Sequence, residues 1–220
     1  MKKLLHITTS LFFFFLYNNA QCQDPSAKKN ELVLMAGLIQ PVLLQGYNLE
    51  MDFYTPKMVF NYSHGFSLDM TNEAGTTVGD IKEQHLAVHI PYSTGFGIGY
   101  RLNKYFDVRL EPKMHKFEIY YDDTDRTEAQ NQITDYTTFT LGLGAYFRWK
   151  PFEKNDTFLK GIFTSTSLRY WQKISSSLDN GELQYTNRIT QNTETHKAAN
   201  IGIANTPFIF NIAIGYCISL

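Results

Sequence analysis

Cysteine is nearly absent from this chain: Cys22 and Cys217 are the only two in 220 residues. Charge of one sign is lacking too, with 20 Lys and Arg against 21 Asp and Glu. Without a basic excess there is no field to hold a nucleic acid, so that class of partner is excluded. Long apolar runs are missing beyond the first 17 residues, although hydrophobic residues make up 43% of the chain. A membrane helix needs about 20 of them in sequence, which excludes a helical membrane protein. The apolar residues must therefore be spread over many short elements.

What is present begins with a secretory pattern. Lys2 and Lys3 give a positive start, and Leu11-Phe12-Phe13-Phe14-Phe15-Leu16 forms the apolar centre of the segment Ile7 to Tyr17. Ala20 and Cys22 then stand at −3 and −1 of a cut before Gln23. This predicts a cleaved signal over 1–22 and one domain over 23–220. Lipidation of Cys22 is the alternative, but the bulky Gln21 precedes it poorly. Removing Lys2 and Lys3 leaves 18 cations against 21 anions, a net charge of −3, and leaves Cys217 without a partner for an intrachain disulfide.

The mature chain repeats one pattern: alternation with period two. Phe60, Tyr62, His64, Phe66, Leu68 and Met70 oppose Asn61, Ser63, Gly65, Ser67, Asp69 and Thr71. Val88, Ile90, Tyr92, Thr94, Phe96, Ile98 and Tyr100 oppose His89, Pro91, Ser93, Gly95, Gly97, Gly99 and Arg101. Phe139 to Trp149 and Phe208 to Leu220 alternate likewise. One face is large and apolar; the other is small or charged. About ten residues at ~3.3 Å each, tilted ~45°, span roughly 23 Å, close to the ~25 Å apolar band of an outer-membrane barrel.

Short connections (55–57, 103–104, 153–157) alternate with long polar ones (72–84, 122–137, 179–199). Periplasmic turns and extracellular loops alternate in the same way. The expected fold is all-β: an eight-stranded antiparallel up-and-down transmembrane barrel with strands near 31–40, 45–54, 58–71, 85–102, 105–121, 138–150, 158–178 and 206–220. Pro41 and Val42-Leu43-Leu44 blur the first two, and Phe163 sits on the small-and-charged face of the seventh. Aromatics gather near the short turns, at Phe53, Tyr54, Phe60, Tyr100, Tyr105, Phe106, Trp149, Phe152 and Phe158, where an interfacial girdle would lie.

The stretch Thr94-Gly95-Phe96-Gly97-Ile98-Gly99-Tyr100-Arg101-Leu102-Asn103-Lys104-Tyr105-Phe106-Asp107-Val108-Arg109 resembles a hairpin of small outer-membrane barrels of the OmpX, OmpW and PorT-like kind. Leu141-Gly142-Leu143-Gly144-Ala145-Tyr146-Phe147 is similar in style. Gly215-Tyr216-Cys217-Ile218-Ser219-Leu220 resembles the terminal strand read by the barrel-assembly machinery, but ends in Leu rather than an aromatic. The resemblance covers about half of the mature chain and implies a porin-like envelope protein of Gram-negative type. Such families include adhesion-linked barrels, channels for small hydrophobic solutes and an accessory of a secretion apparatus.

The phase predicts that Glu50, Asp52, Asp69, Asp107, Arg109, Glu111, Lys113, His115, Arg148, Lys150, Arg169 and Lys173 point inward. An eight-stranded barrel is just wide enough for side chains to fill it. Charges inside must then pair across strands, so Glu50, Asp52, Asp69, Arg109, Glu111, Lys113, Arg148 and Arg169 are expected to form a structural ion-pair network. A gated polar path for a small solute is the alternative. His85 and His89 are four strand residues or ~13 Å apart, too far to share one zinc, so no metal is expected.

His64 falls among lipid-facing residues. A lipid-modifying enzyme would need a serine and a carboxylate beside it, but Ser67 falls on the other face. The expectation is a non-enzymatic protein without cofactors, working through its loops, with 179–199 as the segment for a protein partner. Narrow transport of small or hydrophobic solutes and lipid modification at His64 are the rival readings. Outer-membrane lipid and the assembly machinery are the partners that such a fold implies.

Overall fold

The computed structural model describes residues 30–70, 80–124, 126, 128 and 131–220. The secretory pattern at 1–22 lies outside them. Eight strands close into one antiparallel barrel: β1 (Glu31–Gly37), β2 (Tyr47–Tyr54), β3 (Met58–Asp69), β4 (Leu86–Arg101), β5 (Phe106–Tyr121), β6 (Gln132–Trp149), β7 (Ile162–Ser176) and β10 (Phe208–Ser219). Each pairs with its neighbours along the chain, and β1 meets β10 from Glu31↔Ser219 to Gly37↔Ala213. No edge is left open, which is how a barrel satisfies its backbone groups.

Two further strands, β8 (Glu182–Thr186) and β9 (Thr193–Lys197), form a separate hairpin. The segment 179–199 is thus not the structureless loop that its polar composition suggests. A short helix α1 (Ile39–Leu43) joins β1 to β2. Pro41 lies in it, since a residue without an N–H cannot continue the ladder. This accounts for the blurred boundary there.

The barrel has an end where β2 turns into β3, with Thr55 N donating to Met58 O at 2.8 Å. At the other end lie α1 and the β8–β9 hairpin; these are called the turn end and the cap end. The outward face is apolar in a band. Phe106, Val108, Leu110 and Met114 on β5 adjoin Phe139, Leu141, Leu143 and Phe147 on β6, all exposed. Toward the cap end the same faces turn polar. Met114 pairs with Phe139, then Lys116 with Thr137, then Glu118 with Asp135. No helix among the described residues is long and apolar enough to cross a membrane.

Period two does not persist along β3 and β4. Ser67 takes a φ of 53° and is skipped in the pairing, which runs from Phe66↔Tyr92 to Leu68↔Ile90. Register also shifts between His89 and Ser93. An extra residue turns every later side chain to the other face. Leu68, Met70, Val88 and Ile90, expected outside, are therefore buried inside. Asp69, expected inside, stays half-buried outside the core and pairs with Arg126 at 3.1 Å.

Candidate functional site

The interior has two tiers. The tier toward the turn end holds the buried charges, beside a small apolar cluster that includes Val33, Val59 and Phe163. Arg109, buried to 1% exposure, reaches Asp52 at 2.8 Å and Asp107 at 2.6 Å. Tyr54 OH donates to Asp52 at 2.9 Å and accepts from Arg109 at 2.7 Å, while Asn61 donates to Asp52 at 2.5 Å. Arg148 approaches Asp107 at 3.9 Å and lies 4.3 Å from the centroid of the Tyr54 ring. One layer further in, Arg169 meets Glu50 at 2.8 Å, and Asn48 and Asn211 donate to the same carboxylate.

Glu111 and Lys113 are buried in this tier without a direct ion pair. Glu111 accepts from Tyr146 OH at 2.6 Å and from Trp171 Nε1 at 3.4 Å. Lys113 donates to Ser63 Oγ and sits 4.4 Å from the Trp171 ring centroid. The sign alternation Arg109-Glu111-Lys113 is thus not met by pairing among the three: Arg109 takes Asp107 of its own strand and Asp52 of β2, and Glu111 and Lys113 find partners on other strands. His115 completes the tier, bonded to Ser93 and Thr140 at 2.8 Å each.

Small residues make room for these stems. A Cβ on Gly142 would collide with the Trp171 indole, and one on Gly99 would meet Arg109 Cγ at 2.7 Å. Both positions face the interior where a large side chain crosses from a neighbouring strand. Glycine there is a packing requirement.

The tier toward the cap end is apolar. Leu86, Val88, Ile90, Phe117, Ile119, Tyr136 and Trp171 pack with Ala198, Ala199 and Ile201 from the segment that follows the hairpin. The β8–β9 hairpin and the residue after it are bonded to four barrel elements or their connections. Gln84 donates to Thr195 O at 3.0 Å, Tyr121 OH accepts from Arg188 N at 3.0 Å, Tyr136 OH contacts His196 Nε2 at 3.1 Å, and Lys173 donates to Ala198 O. His196 is 2% exposed; burial, with the Lys173 charge added, brings its pKa down to about 4. Hydrogen bonds from Thr190 and Asn187 hold the Glu194 carboxyl below its usual range.

Of the eight residues expected in the network, seven lie in the polar tier and Asp69 does not. Lys150, also expected inward, sits at the turn end against Glu31, and Lys173 reaches the cap. Reading the sequence missed Tyr54, Tyr146 and Trp171, the aromatic partners of the charges. Tyr54, placed among the interfacial aromatics, is fully buried, because its phase on β2 follows Glu50 and Asp52 inward. Phe163 is buried with it at the turn end, ring centroids 6.2 Å apart.

His64 lies outside, stacked on Phe66 at 6.2 Å, with its Nδ1 buried and without a hydrogen-bond partner. The hydroxyl of Thr94, opposite His64 in the ladder, donates to Tyr62 instead. Ser67 contacts His89 at 3.5 Å. His85 and His89 go to separate carboxylates, Asp122 at 3.6 Å and Glu118 at 2.9 Å.

No family model matches the chain, and no curated protein does. Among solved structures it is similar to Ail, the attachment invasion locus protein of Yersinia pestis. The two share 11% identity over 87% of this chain and 99% of that one, with a TM-score of 0.40. The fold assignment rests on the strand pairing itself.

Proposed function

We propose that the chain is an outer-membrane barrel of the small OmpX, OmpW and PorT-like kind, exported by a cleaved signal over 1–22, with a structural or interaction role and no catalytic activity. The observation that carries this is the inverted distribution of polarity: an exposed apolar band outside, and charges packed in the centre. A water-soluble barrel places these the other way round. With the turn end toward the periplasm, the β8–β9 hairpin stands at the outer surface. There the exposed Arg188, Ile189 and Gln191 are the groups available to a protein partner.

The packed interior favours this role over solute transport. Four carboxylates (Glu50, Asp52, Asp107, Glu111) and four cations (Arg109, Lys113, Arg148, Arg169) fill one tier, and aromatic and aliphatic side chains fill the other. They act as a structural plug. Outer-membrane lipid surrounds the band, and the assembly machinery handles the chain during insertion. Membrane fractionation is the test: the expected result is an outer-membrane protein whose unboiled form migrates differently from the boiled form in detergent gels. Recovery from the soluble periplasmic fraction would overturn the proposal.

A further inference from the structure

At the turn end the cations outnumber the carboxylates that face them. A cavity of about 40 Å³ opens there, lined by Arg101, Lys104, Arg148, Lys150, Glu31 and Glu153. That is room for roughly three waters, or for the oxygens of a small anion. Lys150 is paired with Glu31, and Lys104 with Glu153 at 3.6 Å. Arg101 and Arg148 are left over. Arg101 is 8% exposed and spends one N–H on the Thr55 carbonyl at 2.6 Å. Arg148 is 3% exposed and donates one long bond to the Asn103 carbonyl at 3.5 Å; its Nε has no hydrogen-bond partner, and its nearest carboxylate oxygen, Asp107 Oδ2, is 3.9 Å away, the other oxygen of that group being held by Arg109.

Two nearly buried guanidiniums that share one cavity, neither within hydrogen-bond distance of a carboxylate, are costly unless an anion joins them. Guanidinium groups match phosphate oxygens through paired N–H donors. We propose that this cavity is a phosphate-binding site at the turn end of the barrel, with Arg101 and Arg148 as its primary ligands and Lys104 and Lys150 at its rim. Exposed Tyr105 and Trp149 also line the cavity, at 41% and 52% exposure. A phosphate carried on a lipid headgroup would enter beside these rings, and a free phosphate would enter from solvent. The free-phosphate arm rests on the barrel alone; the lipid arm rests on the membrane reading given above.

The test uses the full chain folded in uncharged detergent. Inorganic phosphate is titrated against sodium chloride of equal ionic strength, and binding is followed by phosphorus NMR and by the temperature of the heat-modified gel shift. Phosphatidic acid is titrated in parallel, with diacylglycerol as the control that lacks the phosphate. Saturable binding of inorganic phosphate is expected, and R101Q/R148Q should weaken it by about tenfold or more, since charge-assisted hydrogen bonds are lost. Phosphatidic acid that displaces inorganic phosphate at lower concentration identifies the lipid as the source; failure to displace it identifies the free ion. E153Q keeps both arginines and removes a negative charge from the rim, so it should tighten binding severalfold. It decides the matter if the double variant does not fold. No saturable binding, equal binding in R101Q/R148Q, or no change in E153Q would each overturn the site.

Discussion

Arg169 and Glu50 meet at 2.8 Å in the middle of the barrel, 119 residues apart in the chain and both almost wholly buried. Strands β2 and β7 are not adjacent in the barrel, so the pair is a contact across its interior. Removing one partner leaves an uncompensated charge. Glu50→Gln is expected to cost ~3–5 kcal/mol in urea unfolding from vesicles. Arg169→Gln should cost a similar amount. The double variant should cost less than the two together, by ~0.5–3 kcal/mol. Additive losses would mean that the pair carries no coupling.

The outward band makes a separate prediction. Leu143 is 62% exposed and stands mid-way along the apolar run of β6, between Leu110 of β5 and Tyr170 of β7. Leu143→Arg should cost ~2–4 kcal/mol for folding into a bilayer, as a charge near the midplane does. Thr137→Arg, opposite Lys116 and past the end of the band, should cost ~1 kcal/mol or less. Equal effects at the two positions would misplace the membrane boundary.

Eight strands were legible in the sequence because alternation survives along most of each. It failed where a single residue breaks the period. Nothing in the residue types around Ser67 announces a positive φ, so unbroken period two puts Leu68, Met70 and Asp69 on the wrong faces. The charged interior residues were legible from the same phase. Their partners were not, because which side chains meet across a closed barrel depends on stagger and not on local spacing. Tyr146 and Trp171, which hold Glu111, come from two further strands. The hairpin β8–β9 was hidden by composition: Asn, Thr, Gln and Glu read as solvent loop, while its fold is set by contacts with Gln84, Tyr121 and Tyr136.

The filled interior predicts silence in electrical recordings. Trp171, 5% exposed, lies between the polar and apolar tiers, touching Lys113 on one side and joining the cap-end cluster on the other. The unmodified protein should show no steady conductance in planar bilayers. A stable open channel would contradict the plug.

Shortening 179–199 now carries a different expectation from that of a free loop. Replacing residues 182–197 by a two-residue turn removes the cover from Tyr136 and the bonds from Gln84 and Tyr121 to the hairpin. The barrel ladder is untouched, so insertion should survive. The heat-modified transition should fall by several degrees, because buried apolar groups and their hydrogen-bond partners become exposed. An unchanged transition would show that the hairpin rests on the barrel without stabilising it.

The hairpin should also loosen in mild acid. His196 Nε2 shares a hydrogen bond with Tyr136 OH at 3.1 Å, and that hydroxyl accepts from the Ala199 amide at 2.9 Å. Burial and the nearby Lys173 charge lower the His196 pKa to about 4 from an ordinary value of 6.5. In the folded cap the ring therefore stays neutral below the pH at which the opened cap takes up a proton. Between those two values the open state binds more protons, so stability falls as pH falls. The contribution is fully present above about pH 6.5, is lost progressively toward pH 4 and is constant below that. Glu194, held below its usual carboxyl range, adds its own loss only at lower pH. The protection factor of the Ala199 amide, its exchange rate relative to that of an unstructured amide at the same pH, should thus fall from pH 7 to pH 4.5 in the unmodified protein. His196→Gln cannot take up the proton and should give a flatter profile. Equal slopes in the two proteins would assign the acid response to another group.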